Sequence, residues 1–332
     1  MTSLQQRVLQ GDISQQDISQ KDEFDRMVSL LIECGAMKDK NWPTGEVRHW
    51  TRQYLKLWRM MQKDMVYTTS TITYVELKGD RKGDRKDVLE AAKQGDIDTF
   101  TVIKSHENHH VIIDERGEIL GYRYRIKPDL LEKLAETTGN LPHKGVNAGI
   151  RGNYPTRHYA VWRDYAKVPY VTSEYRKELP ASKEWCEKNG KLFDYLSEGL
   201  RMISPMTYVR YGGARPYLQA RHNLEPLCGI WFGVAINEGI TGSTRTHLDF
   251  GDAGYNCVVP WGEYNGGGLV LWPLKIVMEL EPGDAFFFMG SLIAHNVAEV
   301  EGVRNSIDLF CHLNVLSWKD KCDEERRGKK LN

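Results

Sequence analysis

The chain has no net charge, no closely paired cysteines and no apolar run of membrane-spanning length, and each absence narrows what it can be. Forty-five Lys plus Arg residues balance 45 Asp plus Glu. That balance argues against massive non-specific binding to phosphate backbones, although a local basic patch would still serve a nucleic acid. The six cysteines (Cys34, Cys186, Cys228, Cys257, Cys311 and Cys322) are scattered without a CxxC pair. They read as reduced thiols in core or loop rather than as a disulfide framework. The opening Met1-Thr2-Ser3-Leu4-Gln5-Gln6 lacks the apolar centre of a secretory signal. No membrane association is expected, and the protein should work inside a cell.

What is present is ordinary in amount and informative in order. At 332 residues, 41% of them hydrophobic, the chain can bury a substantial core in one large domain or two ordinary ones. Residues 1 to about 65 carry two amphipathic patterns. Phe24, Met27, Val28 and Leu31 share one face, as do Trp50, Tyr54, Leu57, Trp58 and Met61. Residues 68–77, dense in Thr, Ile, Tyr and Val, predict a strand, and the charged run Lys78–Lys86 then reads as a solvated loop. A short helix is expected over 87–94, a strand over 99–104, and a hairpin over 111–126 with Gly117 at its turn. Helices are expected over 128–138 and 191–203, the second turning Leu192, Tyr195, Leu196, Leu200 and Ile203 inward. From Lys319 to Asn332 the composition predicts a charged, poorly ordered tail.

Two stretches invite a functional reading. His106-Glu107-Asn108-His109-His110 fits H-E-x-x-H, which binds zinc only on a helix, where both histidines share a face. Here it lies between strand-like runs, so these are read as loop histidines. Residues 145–162 mix Arg151, Arg157 and His158 with Tyr154, Tyr159 and Trp162. Such a mixture can hold a backbone and stack a splayed base, or belong to a strand packed under helices. Arg210, Arg215 and Arg221, with Tyr211 and Tyr217 between them, raise the same question.

The organising stretch runs from Thr246 to Cys311. His247 and Asp249 are two apart, so on a strand both face the same way. A lone His-x-Asp is a weak signal, and its context strengthens it. Short strands are expected at Gly268–Trp272 and Lys275–Leu280. Pro282-Gly283 follows with the chemistry of a tight turn, then a buried run over 285–288 leading to His295. One imidazole and one carboxylate meeting a distant second imidazole make the 2-His-1-carboxylate arrangement that holds Fe(II) with open positions. Arg304 and Ser306, also two apart, offer a guanidinium and a hydroxyl to a carboxylate. Asn237 closes the apolar run Ile230–Asn237; it is placed to reach a cosubstrate or to close a turn. Metal ligands followed by an anion clamp point to an Fe(II)- and 2-oxoglutarate-dependent dioxygenase.

The order His247-x-Asp249, Gly267-Gly268-Leu269-Val270-Leu271-Trp272, Pro282-Gly283-Asp284, His295 and Arg304-x-Ser306 resembles the 2-oxoglutarate/Fe(II) oxygenase superfamily. Within it, the run Cys257–Lys275 resembles the TET/JBP-like branch, and the lack of a Cys-rich insert suits compact fungal-type members. The resemblance covers about the last third of the chain. It implies an α+β fold with a double-stranded β-helix (jelly-roll, cupin-like) core buttressed by N-terminal helices. The corresponding division is an N-terminal region at 1–140, the core at 141–318 and the tail at 319–332. It implies Fe(II) on His247, Asp249 and His295, 2-oxoglutarate on Arg304, Ser306 and Asn237, and O2 as co-reactant. The implied substrate is a methyl group on a nucleic-acid base, 5-methylcytosine or thymine-like, with DNA favoured; a DNA substrate would imply the nucleus. The same chemistry on a protein side chain or metabolite, and a binding module of the same fold without catalysis, remain as alternatives.

Overall fold

The structure is a computed structural model that describes residues 65–328, apart from 80–84, 106–108, 116–117, 149–151, 223 and 225–226. The helices expected before residue 65, the centre of the Lys78–Lys86 run, Gly117 and Arg151 lie outside the described residues. The strands are β1 (Met65–Ser70), β2 (Thr101–Ile103), β3 (His109–Asp114), β4 (Ile119–Arg125), β5 (Asn147–Ala148), β6 (Asn153–Tyr154), β7 (Thr156–Trp162) and β8 (Tyr170–Val171). They continue with β9 (Gly233–Ile240), β10 (Asn256–Gly266), β11 (Leu269–Leu271), β12 (Ile276–Met278), β13 (Asp284–Phe288), β14 (His295–Val297) and β15 (Val300–Phe310).

Nine strands form one sheet in the order β1-β3-β4-β13-β10-β15-β9-β7-β8, and four form a second in the order β14-β11-β12-β2. This is the two-sheet layout of a jelly roll. Strands from before residue 140 are built into both sheets. The centre of the large sheet is apolar on both sides: every residue of β13, Asp284-Ala285-Phe286-Phe287-Phe288, is buried. Phe287 packs outward against Tyr122, Tyr124 and Trp231. Phe286 and Phe288 stack on the other face, with ring centres 5.5 Å apart.

The outward face is covered by a helix at Gly190–Ile203, whose Leu192, Phe193, Leu196, Leu200 and Ile203 are buried. Each such side chain contributes about 1.5–3 kcal/mol by leaving water. Gly199 lets the helix approach the sheet, because a Cβ there would lie 3.0 Å from Phe287 Cζ and closer still to the Tyr124 hydroxyl. The described helices that cover the sheet thus follow it from within the chain, at Pro128–Gly139, Ala181–Lys188 and Gly190–Ile203. Among the described residues, no helix is long and apolar enough to cross a membrane.

Two local differences from the expected elements have physical causes. The strand expected over 68–77 ends at Ser70, and a helix occupies Tyr74–Lys78. Thr73 and Glu76 form a reciprocal capping box, and that cap overrides the β-propensity of Tyr74 and Val75. At the other end, a helix at Leu313–Gly328 replaces the loose tail. Val315, Trp318 and Cys322, at helical spacing, are buried in the core, and Lys319 pairs with Asp323 at 2.7 Å. His109 and His110 stand on β3, where neighbours face opposite ways. His109 Nδ1 meets the Tyr122 hydroxyl at 3.0 Å, and His110 Nε2 meets Thr68 Oγ1 at 2.8 Å. Of the two histidines that H-E-x-x-H would use, His110 thus stands on a strand rather than a helix, and His106 lies outside the described residues.

Candidate metal centre

The centre forms where the segment holding His247 crosses β14. His247 and His295 exchange both backbone hydrogen bonds, each 3.0 Å, in an isolated antiparallel bridge. Directly paired residues project to the same face, so the two imidazoles stand together with ring centres 4.3 Å apart. Each ring is oriented from behind. His247 Nδ1 lies 2.9 Å from the Arg245 carbonyl, and His295 Nδ1 lies 2.8 Å from the Ile293 carbonyl. A carbonyl can only accept, so Nδ1 carries the proton in both and each Nε2 presents its lone pair. Both Nε2 atoms turn to Asp249, at 3.8 Å from Oδ1 for His247 and 3.6 Å from Oδ2 for His295. One donor atom from each residue falls within 4.8 Å of the others. Asp249 is seated by its backbone N–H, which donates to the Gly290 carbonyl at 3.0 Å. Gly290 also leaves room for the carboxylate, since a Cβ there would lie 2.7 Å from Asp249 Oδ2. Two neutral imidazoles with a fixed tautomer and one carboxylate fit a divalent transition metal and leave part of its coordination sphere open.

The face that His295 looks toward is set by sheet register. The Phe288 ring meets His295 edge-on at 4.7 Å. Asn256 pairs with Phe288, Val258 with Phe286 and Asp308, Pro260 with Ser306, and Gly262 with Arg304. Paired residues share a face, so Arg304 and Ser306 lie on the sheet face that carries Phe286 and Phe288. Asn237 pairs with Ser306 from the other side, donating from Nδ2 to its Oγ at 3.3 Å and accepting from Thr156 Oγ1 at 3.1 Å. Arg304 is completely buried, and its Nε and both Nη atoms make no hydrogen bond among the described residues. Burial lowers its pKa, and the nearby Tyr264 phenol offsets part of that effect. The Tyr264 ring centre is 5.8 Å from Arg304 Cζ, and its hydroxyl donates instead to the Leu280 carbonyl at 2.7 Å. A guanidinium buried without hydrogen bonds is costly, and it fits an incoming carboxylate.

The structure thus gathers His247, Asp249 and His295 at one point and Arg304, Ser306 and Asn237 at another on the same sheet face. It does not do so for Arg157, Tyr159, Arg210, Tyr211 or Tyr217. Arg157 is buried among Glu178, Glu238 and the Pro142 carbonyl, and Tyr159 donates to Glu178. Tyr211 and Tyr217 are core residues, and Arg210 pairs with Asp320 at the surface. These side chains serve the fold.

Asp252 and His312 carry no sequence signal of their own, yet an isolated bridge joins them. Asp252 accepts from Asn256 Nδ2 at 2.7 Å, and Asn256 Oδ1 sits with Asp249 Oδ2 around Gly290. His312 is buried, which lowers its pKa, and its Nδ1 has no hydrogen-bond partner among the described residues. Trp162 meets it edge-on at 5.7 Å and stacks on His158 at 6.1 Å. The available cue was position: Asp252 lies three residues beyond Asp249, and His312 lies just past the end of β15, the strand that carries Arg304.

This architecture is similar to that of NgTET1, solved in complex with 5mC DNA, with a TM-score of 0.53 and 16% identity over 80% of this chain and 90% of that one. An oxidoreductase of the 2OG-Fe(II) oxygenase family from Burkholderia pseudomallei gives a TM-score of 0.37 at 15% identity, over 57% and 82% of the two chains. A prolyl-4-hydroxylase from Pseudomonas putida gives 0.34 at 15% identity, over 58% and 92%. No protein-family model and no curated protein sequence matches the chain. The chain shares its fold with NgTET1.

Proposed function

We propose that the protein is an Fe(II)- and 2-oxoglutarate-dependent dioxygenase that oxidises a methyl group on a nucleic-acid base. The observation that carries this reading is the pairing of two features on one sheet face. One is a three-residue donor set with both imidazole tautomers fixed; the other is a buried guanidinium with no hydrogen-bond partner among the described residues. Fe(II) with 2-oxoglutarate, when bound, supplies oxidation of an unactivated C–H bond coupled to loss of CO2 and formation of succinate.

The residues have separable tasks. His247, Asp249 and His295 hold the metal from one side. Arg304 pairs with the far carboxylate of 2-oxoglutarate, and Ser306, held by Asn237, adds a hydroxyl beside it. Phe286 and Phe288 keep water from the space between, which strengthens every charge interaction there. Asp252 and His312 are the polar groups suited to read a substrate, with Trp162 and His158 offering ring faces. Duplex DNA would have to present its base flipped out of the stack. The likeness to NgTET1 in complex with 5mC DNA supports a nucleic-acid substrate over a protein or metabolite.

The test is to load the purified protein anaerobically with Fe(II), add 2-oxoglutarate and air, and offer methylated DNA, unmethylated DNA and RNA. Succinate and nucleosides are then read by mass spectrometry beside a His247→Ala control. An oxidised methyl base formed only by the intact protein is the expected result. Succinate without a base product would redirect the substrate, and no succinate would remove the enzyme reading.

A further inference from the structure

We propose that Asn296 is a positioning residue that holds the two metal-binding histidines in register from the far side of their strands. This rests on the metal-site reading above and adds a residue to it. Antiparallel pairing of His247 with His295 places Thr246 directly opposite Asn296, with both side chains on the face away from the imidazoles. Thr246 Oγ1 donates to Asn296 Oδ1 at 3.2 Å. The same oxygen receives Trp272 Nε1 at 2.6 Å. An indole N–H can only donate, so the orientation of the Asn296 amide is determined. Its Nδ2 donates to the Val297 carbonyl at 3.1 Å.

One buried amide oxygen therefore joins three chain segments. Thr246 precedes the first imidazole, Asn296 follows the second, and Trp272 directly follows β11, the strand between β14 and β12. Trp272 is itself anchored, its N–H donating to the Ala294 carbonyl at 3.0 Å and its ring meeting Phe100 edge-on at 5.5 Å. The need for such a fastening follows from the shortness of β14, which has three residues. A slip of one residue there would send His295 to the opposite face. The β11 pairing and the Thr244–Val297 hydrogen bonds hold β14 on either side, and the Asn296 junction adds a side-chain fastening at the step next to the two imidazoles.

The account predicts how metal binding responds when the acceptor is removed or kept. Mn(II) or Co(II) binding would be measured by calorimetry in the absence of oxygen for the intact protein and for Asn296→Ala, Asn296→Asp and Thr246→Val. The Co(II) visible spectrum would report geometry, and melting of the metal-free protein would report stability. Asn296→Ala should weaken metal binding 10- to 100-fold, the range for groups that orient ligands, and alter the Co(II) spectrum. Asn296→Asp keeps an acceptor for both donors and should restore most of the affinity. Thr246→Val, which removes one donor and keeps the shape, should give a smaller loss and answers the question should Asn296→Ala fail to fold. Metal affinity and spectrum unchanged in the variants, whether or not melting shifts, would overturn the proposal. Absence of metal binding by the intact protein would instead remove the metal-site reading on which it rests.

Discussion

Arg157 on β7 and Arg304 on β15 flank the same strand, β9, and both guanidiniums are buried, yet their surroundings are opposite. Arg157 is saturated: Nε lies 3.3 Å from Glu178, Nη1 pairs with Glu238, and Nη2 donates to the Pro142 carbonyl. Arg304 has none of this. Its three nitrogens have no hydrogen bond among the described residues, and the Tyr264 ring lies beside it. A buried charge that the chain satisfies by itself is part of the scaffold. A buried charge that the chain leaves unsatisfied lowers stability unless a ligand completes it. Burial and residue type are the same in the two cases; the partners alone distinguish frame from site.

Breaking the saturated pair should have the largest effect. Arg157→Met strands Glu178 and Glu238 and should lower the free energy of unfolding in urea by about 3–5 kcal/mol. A loss under about 1 kcal/mol would remove the contrast.

Asp284 sharpens it from the carboxylate side. It is buried with one Arg125 contact at 3.3 Å, and burial pushes its carboxyl up to about 6. An acid with a raised folded pKa stabilises the fold at low pH and loses that stability as pH rises from about 4 through about 6. The loss amounts to roughly 3 kcal/mol. Urea titrations at pH 4 and pH 7 should show Asp284→Asn free of this loss, and so more stable than the natural protein only at the higher pH.

Gly290→Ala is expected to be smaller. Its Cβ would press on Asp249 Oδ2, reducing Mn(II) affinity about tenfold while melting changes little, within the range for groups that orient ligands. An unchanged affinity would show that the carboxylate has room to spare.

The juxtaposition within each proposed site was legible because it depends on residues close in sequence on extended chain. His247 and Asp249 share a face, as do Arg304 and Ser306, and Pro282-Gly283 marked the turn that delivers β13. Register did the rest, and register is not written locally. Asp252 and His312 lie sixty positions apart and meet because Leu313 N–H donates to the Gly251 carbonyl at 2.8 Å and Ala253 N–H to the Cys311 carbonyl at 2.9 Å. Arg157 looked like a base-binding candidate because its carboxylates come from Glu178 and Glu238, on segments that sequence alone does not bring to it. The Thr73–Glu76 cap was readable in principle, but the β-rich composition around it concealed the signature.

The smallest expected stability change belongs to Arg304→Met, within about 1 kcal/mol of the natural protein or above it, since an apolar side chain removes a charge that has no partner. That variant also gives the most direct measurement. Calorimetric titration of 2-oxoglutarate into the Mn(II)-loaded protein, without oxygen, should show binding by the natural chain. For Arg304→Met the affinity should fall at least about a hundredfold, as expected when a charge-assisted bidentate pair is lost, with no loss in melting temperature. Equal binding by the two proteins, or unfolding of Arg304→Met like that expected of Arg157→Met, would contradict the account.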